Sequence, residues 1–202
     1  MTKQRKAWER TSFSPRPVNR REVKQTFLIV CEGEQTELNY FRSFRVRTAT
    51  TVKVEGIGAN TVSLVREAVK LKEGEDYDQV WCVFDRDSFP AKNFNDALTL
   101  ARSNNIEVAY SNQAFELWYL LHFNYYDAAM SRSSYRKSLS ASLGHPYEKN
   151  SPTVYNELKD KQADAIRNAE RLLARYSPCS PEQDNPSTTV HLLVRELNRF
   201  VD

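Results

Sequence analysis

The feature that most constrains this chain is "QVWCVFD", residues 79 to 85, a short continuous apolar run that ends in acid. A half-exposed strand alternates apolar and polar residues. A strand that is apolar on both faces is covered on both, which points to a parallel sheet flanked by helices. "TFLIVC", residues 26 to 31, repeats the pattern nearer the N-terminus. Helical segments separate such runs. Leu38, Phe41 and Phe44 recur at spacings of three from about Thr36, and Val62, Val65, Val69 and Leu71 form a stripe from about Asn60. "FNDALTLARSN" follows the 79–85 run, "TVKVEGIGAN" supplies a short alternating strand and a glycine-bearing turn, and "IEVAY" supplies a fourth strand. The order βαβαβαβ predicts right-handed crossovers and an α/β fold with a mostly parallel four-stranded sheet.

Beyond Tyr110 the pattern turns helical, through "AFELWYLLHF", "SYRKSLSASL", "TVYNEL" and "KQADAIRNAERLLARY". In the last segment Val190, Leu193, Val194, Leu197 and Val201 fall on one helical face, and "NPST" ahead of them reads as its cap. The expected organisation is a flexible arm over 1–24, an α/β core over 25–111 and a helical extension over 112–202 packed on that core as one compact unit. The arm carries eight Lys/Arg against Glu9 and Glu22, a net charge of 8 − 2 = +6, while the whole chain sums to +3. Such a concentration attracts polyanions by counterion release, although basic leaders also serve as solubilising tails.

No stretch approaches the roughly 18 apolar residues of a membrane span, and the basic N-terminus is not followed by an apolar segment, so no membrane association is expected and the cytoplasm is the expected location. Cys31 and Cys82 sit inside apolar runs, Cys179 lies in a Pro/Ser loop, and no pair has zinc-ligand spacing; reduced thiols are expected. A phosphate-binding G-x-x-x-x-G-K-[ST] loop and a G-x-S-x-G elbow are both absent from the sequence. His122 reads as a hydrogen-bonded helix residue and His145 as a turn residue beside Pro146.

In parallel α/β sheets the reactive edge is the carboxyl end of the strands. Two strands end there in acid: "CEGE" brings Glu32, with Gly33 allowing a tight turn, and "FDRD" brings Asp85 and Asp87. Residues two apart in extended chain face the same side, about 6 to 7 Å apart. At an effective dielectric of about 20 two such charges repel by roughly 3 kcal/mol, so a positive partner is needed. Arg86 points the other way, which leaves a divalent cation; an all-oxygen donor set favours Mg2+ or Mn2+. The structural alternatives are that Asp87 or Ser88 caps the next helix with Pro90 in its first turn, and that Asp85 holds a loop amide. Glu34 and Glu37 read as acids complementing a helix N-terminus.

The E-G and D-x-D pair in this frame resembles the Toprim domain of topoisomerases, primases and certain nucleases. Together, "IVCEGEQTELNYFRSF", "VFDRDSF", "SNQAFELWYLLHF" and "NPSTTVHLLVREL" resemble the RloB-like family, from about Gln25 to Asp202. That resemblance implies a Toprim-like, Rossmann-like core and a role in bacterial defence against phage. It places Glu32 as general acid/base or metal ligand and Asp85 and Asp87 as the metal pair. Glu116, at the centre of F-E-x-W, becomes a further ligand or orienting residue, or else part of a polar stripe. Lys149 in "YEKN" becomes a neutraliser of phosphate charge, or one of many surface lysines. Two departures stand out: Gln113 occupies a position where the family form has proline, and Phe89 stands where topoisomerases add a third acid.

The leading expectation is a Mg2+- or Mn2+-dependent nucleic-acid phosphodiesterase with Glu32, Asp85, Asp87, Glu116 and Lys149 at its centre. A catalytically silent module that binds nucleic acid or a partner ATPase is the first alternative. The second is a phosphatase similar to the haloacid dehalogenases, with Asp85 as nucleophile, although that family opens with its D-x-D whereas here a full βαβα precedes it.

Overall fold

The computed structural model describes residues 25–47, 50–58, 60–87 and 90–201. The basic arm, Ser88 and Phe89 lie outside the described residues. The expected strands and helices are present: β1 (Gln25–Cys31), α1 (Thr36–Arg42), β2 (Thr50–Gly56), α2 (Thr61–Gly74), β3 (Gln79–Asp85), α3 (Ala91–Ser103) and β4 (Glu107–Asn112). The C-terminal half adds α4 (Glu116–Leu121), α5 (Arg132–Leu143), α6 (Val154–Leu158), α7 (Gln162–Leu173), a two-residue strand β5 (Ser187–Thr188) and α8 (Val190–Asn198).

The sheet has five strands in the order β2-β1-β3-β4-β5, parallel except for β5. It is an α/β, Rossmann-like architecture. The fifth strand corrects the expected count of four and the reading of 112–202 as purely helical. Ser187 pairs with Asn112 and Thr188 with Ser111, and the Thr188 hydroxyl donates to the Tyr110 carbonyl at 3.0 Å. These residues were expected to cap α8. The cap position is Thr189, which makes no side-chain capping bond, but the Thr188 hydroxyl does accept from the Val190 amide at the start of α8, at 3.3 Å.

Chain direction explains the two layers. From β1 the chain crosses outward to β2, then back across β1 to β3 and on to β4. Right-handed crossovers running in opposite directions must use opposite faces. Accordingly, Leu38 and Phe41 of α1 pack on one face of the sheet with α4, α5, α7 and α8, while Leu64, Val65 and Ala68 of α2 and Phe94, Ala97 and Ala101 of α3 cover the other. Strand residues sort by parity: Phe27, Ile29, Trp81 and Val83 face the first layer, and Leu28, Val30, Val80, Cys82 and Phe84 face the second. Each fully buried Phe, Ile, Leu or Val contributes about 1.5–3 kcal/mol, so the sheet is held from both sides. Among the described residues no helix is long and apolar enough to cross a membrane.

Strand order also fixes where a site forms. The chain leaves β1 and β3 in opposite directions, opening a crevice beyond their carboxyl ends, the position at which open α/β sheets bind ligands.

Candidate functional site

Parity places the D-x-D. Asp85 continues the series Trp81, Val83 toward the face covered by α1 and α4, while Arg86 turns to the opposite face, its guanidinium 5.8 Å from the Phe94 ring centre and its Nε donating to the Glu182 carbonyl at 3.2 Å. Glu32 follows β1 directly. Its amide donates to the Val83 carbonyl at 2.9 Å, which extends the β1–β3 ladder by one bond. Its carboxylate Oε2 accepts from the Asp85 amide at 3.1 Å. The two strand ends are thus tied together by the residues expected to carry chemistry. The cap position of α3 is Pro90, without a side-chain capping bond, and the expected cap residue Ser88 lies outside the described residues.

The crevice is a cleft of about 310 Å³ whose lining includes Glu32, Glu37, Asp85, Asp87, Glu116, Arg132 and Lys149. All five expected site residues therefore meet in one place. Glu116 enters from α4, a helix buried at every residue, and is itself only 4% exposed. It accepts from the Tyr147 hydroxyl at 3.4 Å and lies 3.7 Å from Lys149 Nζ. The loop bearing Tyr147 and Lys149 is pinned to the site, since the Thr36 hydroxyl donates to the Lys149 carbonyl at 3.2 Å.

Three further residues of the site carry no signal of their own in the sequence that marks them as such. Glu37 does stand in the first turn of α1, but its carboxylate is also buried in the cleft, folded over Gly33 into space that a Cβ there would fill. Only Gly33 itself, four residues before Glu37, hinted at this. Tyr147 looks like any aromatic near a proline. Arg132 opens α5, and its Nη2 lies 3.6 Å from Asp85 Oδ2 and 3.6 Å from Asp87 Oδ2. Nothing in "SRSSYRK" sets it apart from the other 28 basic residues of the chain. It supplies the aspartate pair with a positive partner other than a metal.

Crowding so many acids raises the cost of charge. Burial, with Asp87 and Glu37 nearby, pushes the Glu32 carboxyl up to about 7 against the bonding from the Asp85 amide. Burial and the fields of Glu37 and Glu116 hold Asp85 well above the usual carboxylate range. Burial and then Glu116 raise Glu37 in the same direction. Asp85 Oδ1 is shielded from solvent and has no hydrogen-bond partner, an expensive state for a carboxylate oxygen.

These features fit an oxygen-ligated divalent cation in donor chemistry: crowded carboxylates, one orphaned oxygen and a position at the sheet's switch point. Among the described residues, however, no three acid, His or Cys side chains are already gathered closely enough to hold a metal ion, and the guanidinium of Arg132 stands against both aspartates.

Residues 27–197 match the family described as RloB-like protein. The chain belongs to the RloB-like family. No curated protein and no solved structure matches it.

In this RloB-like chain His122, His145 and the three cysteines do not line the cleft. His122 is buried, with Nδ1 2.9 Å from the Trp118 carbonyl, and burial pushes its pKa down to about 4, so the ring is neutral. His145 lies in the turn beside Pro146, paired with Glu157 at 2.7 Å. The three cysteines are free, Cys31 and Cys82 deep in the core. At the Gln113 turn, where the family resemblance calls for proline, the Asn112–Gln113 peptide bond is cis.

Proposed function

We propose that this RloB-like protein is a metal-dependent phosphodiesterase of the Toprim kind that cuts nucleic acid in the cytoplasm as part of bacterial defence against phage. Glu32, Asp85 and Asp87 would hold Mg2+ or Mn2+. The observation that carries the reading is the convergence of Glu32 from β1 and Asp85 and Asp87 from β3 on one cleft at the switch point of the sheet, tied by the 3.1 Å bond from the Asp85 amide to Glu32.

When bound, the cation supplies water activation and stabilisation of the leaving oxygen. The chain's own groups do the rest. In the metal-free cleft the Glu32 carboxyl lies at about 7, so ligating the cation near neutral pH would release its proton. Lys149 and Arg132, both about half exposed at the cleft, present positive charge to phosphate oxygens. Glu116, held by Tyr147 and Lys149, fixes the position of that lysine. The test is release of fragments from DNA and RNA with Mg2+ or Mn2+, wild type against Asp85→Ala; equal cleavage by both would end this reading.

One observation favours a second reading, a module that binds nucleic acid or a partner ATPase without turnover: the aspartate pair already has a counter-ion in Arg132. Tight, salt-sensitive binding that survives both chelation and loss of Asp85 would support it over cleavage.

A further inference from the structure

Arg132 holds an unusual place. Its side chain is 49% exposed, yet its Nη2 reaches two carboxylates whose side chains are only 17% and 18% exposed. Both contacts are 3.6 Å, ion pairs outside hydrogen-bond range, and the hydrogen bond of that nitrogen goes to the Gln113 carbonyl at 3.3 Å. The two ion pairs are therefore electrostatically favourable and geometrically loose. Two neighbouring carboxylates in a mostly buried site are stabilised by a nearby cation, and this one has an open route to solvent.

A divalent cation ligated by the same pair would draw on carboxylates that already pair with Arg132, and its charge repels a guanidinium at that distance. Repulsion between the two cations opposes their sharing the pair. We infer that Arg132 is the built-in counter-ion of Asp85 and Asp87, a side chain that a divalent cation must displace before those aspartates ligate it. The inference rests on the metal-dependent reading of the cleft. It accounts for a site with the right donors in which no ligand trio is yet drawn together. It also gives the displaced group somewhere to go: Arg136, four residues on along the same face of α5, lines an adjoining groove with Lys149 and Asn150, where the charge of a phosphodiester would receive a further guanidinium.

The experiment is calorimetric titration of Mn2+ into wild type, Arg132→Gln and Arg136→Gln at low ionic strength, with melting curves for each. Arg136→Gln removes the same charge one turn away, from a residue that makes no ion pair with either aspartate among the described residues. Arg132→Gln is expected to bind Mn2+ about tenfold more tightly than wild type, the worth of two modest ion pairs, and Arg136→Gln to stay within about twofold of wild type. Unchanged or weaker binding by Arg132→Gln, or equal tightening by Arg136→Gln, overturns the inference. If Arg132→Gln does not fold, Arg132→Lys carries the test: a single ammonium spans two carboxylates poorly, so tighter Mn2+ binding supports displacement and unchanged binding overturns it. Absence of Mn2+ binding by all the proteins would defeat the metal reading and this inference together, whereas wild-type binding that Arg132→Gln merely equals would remove the inference alone.

Discussion

The backbone amide of Asp85 donates to the Glu32 carboxylate over 3.1 Å. One residue belongs to the end of β3 and the other to the loop leaving β1, so the sheet's own hydrogen-bonding edge brings the first acid to the D-x-D. The same contact makes the site's electrostatics part of the fold's stability.

Glu32 sets the sign of a pH dependence. Its carboxyl lies at about 7 in the folded chain against an ordinary 4.5, so between those values the native state binds more protons than the unfolded one. Stability from this group is complete below about 4.5 and is lost as pH rises through 7; Asp85 and Glu37 shift in the same direction. Metal-free protein is expected to melt lower at pH 8 than at pH 5.5. Glu32→Gln, which still offers an oxygen to the Asp85 amide, should recover about 1–2 kcal/mol at pH 8 after discounting for partial exposure. A melting profile with the wild-type slope in Glu32→Gln would assign the dependence elsewhere.

Gly33→Ala separates site from fold. The added methyl would meet the tip of the Glu37 side chain, which is flexible and can swing away. Melting is expected to stay within about 1 kcal/mol of wild type, while Mn2+ affinity and cleavage change because Glu37 has left the cleft. Unchanged affinity and cleavage would show that Glu37 is a bystander.

Trp118 links the buried helix to the site. It is fully buried within the first layer, its ring centre 6.5 Å from that of Tyr40, on the same six-residue helix as Glu116. Trp118→Ala is expected to cost about 3–5 kcal/mol, as large-to-small changes in a packed aromatic core do. Chemical denaturation reads this directly; a loss below about 1 kcal/mol would mean that α4 is not the anchor its burial implies.

Residues 25–111 are not expected to fold alone. Phe27, Ile29, Trp81 and Val83 share their core with Trp118, Leu172 and Leu193 of the C-terminal helices, and β4 would lose β5 and α8, which pack against it. A 25–111 fragment should lack a cooperative melting transition, and adding 112–201 in trans should restore one. Cooperative melting of the fragment by itself would contradict the single-core architecture.

The sequence was most informative where one physical requirement governed a whole segment. β1 and β3 are buried on both faces, so their apolar runs are continuous and readable; α2 begins where Asn60 accepts from the Ser63 amide at 3.1 Å, a local pattern visible in the chain. Glu32, Asp85 and Asp87 were legible because strand ends in a parallel sheet are few and acid there is costly. β5 was not, since two residues, Ser187 and Thr188, carry no periodicity and resemble a helix cap; only their pairing with Ser111 and Asn112, 75 or more residues away, defines them. Arg132 and Tyr147 were invisible for a related reason. Each reaches the cleft from an element whose placement depends on tertiary packing, and neither residue type is rare in this chain. Glu37 has the position of an ordinary acid in a helix's first turn, and its inward direction depends on the bare backbone at Gly33.

The most direct measurement of the central claim is anomalous diffraction from crystals soaked in Mn2+. The expected result is a peak at about 2 Å, ordinary metal–oxygen distance, from carboxylate oxygens of Glu32 and of at least one of Asp85 and Asp87, with Arg132 swung off the pair. A saturating soak that leaves the cleft without a peak and Arg132 still seated between the two aspartates would contradict it.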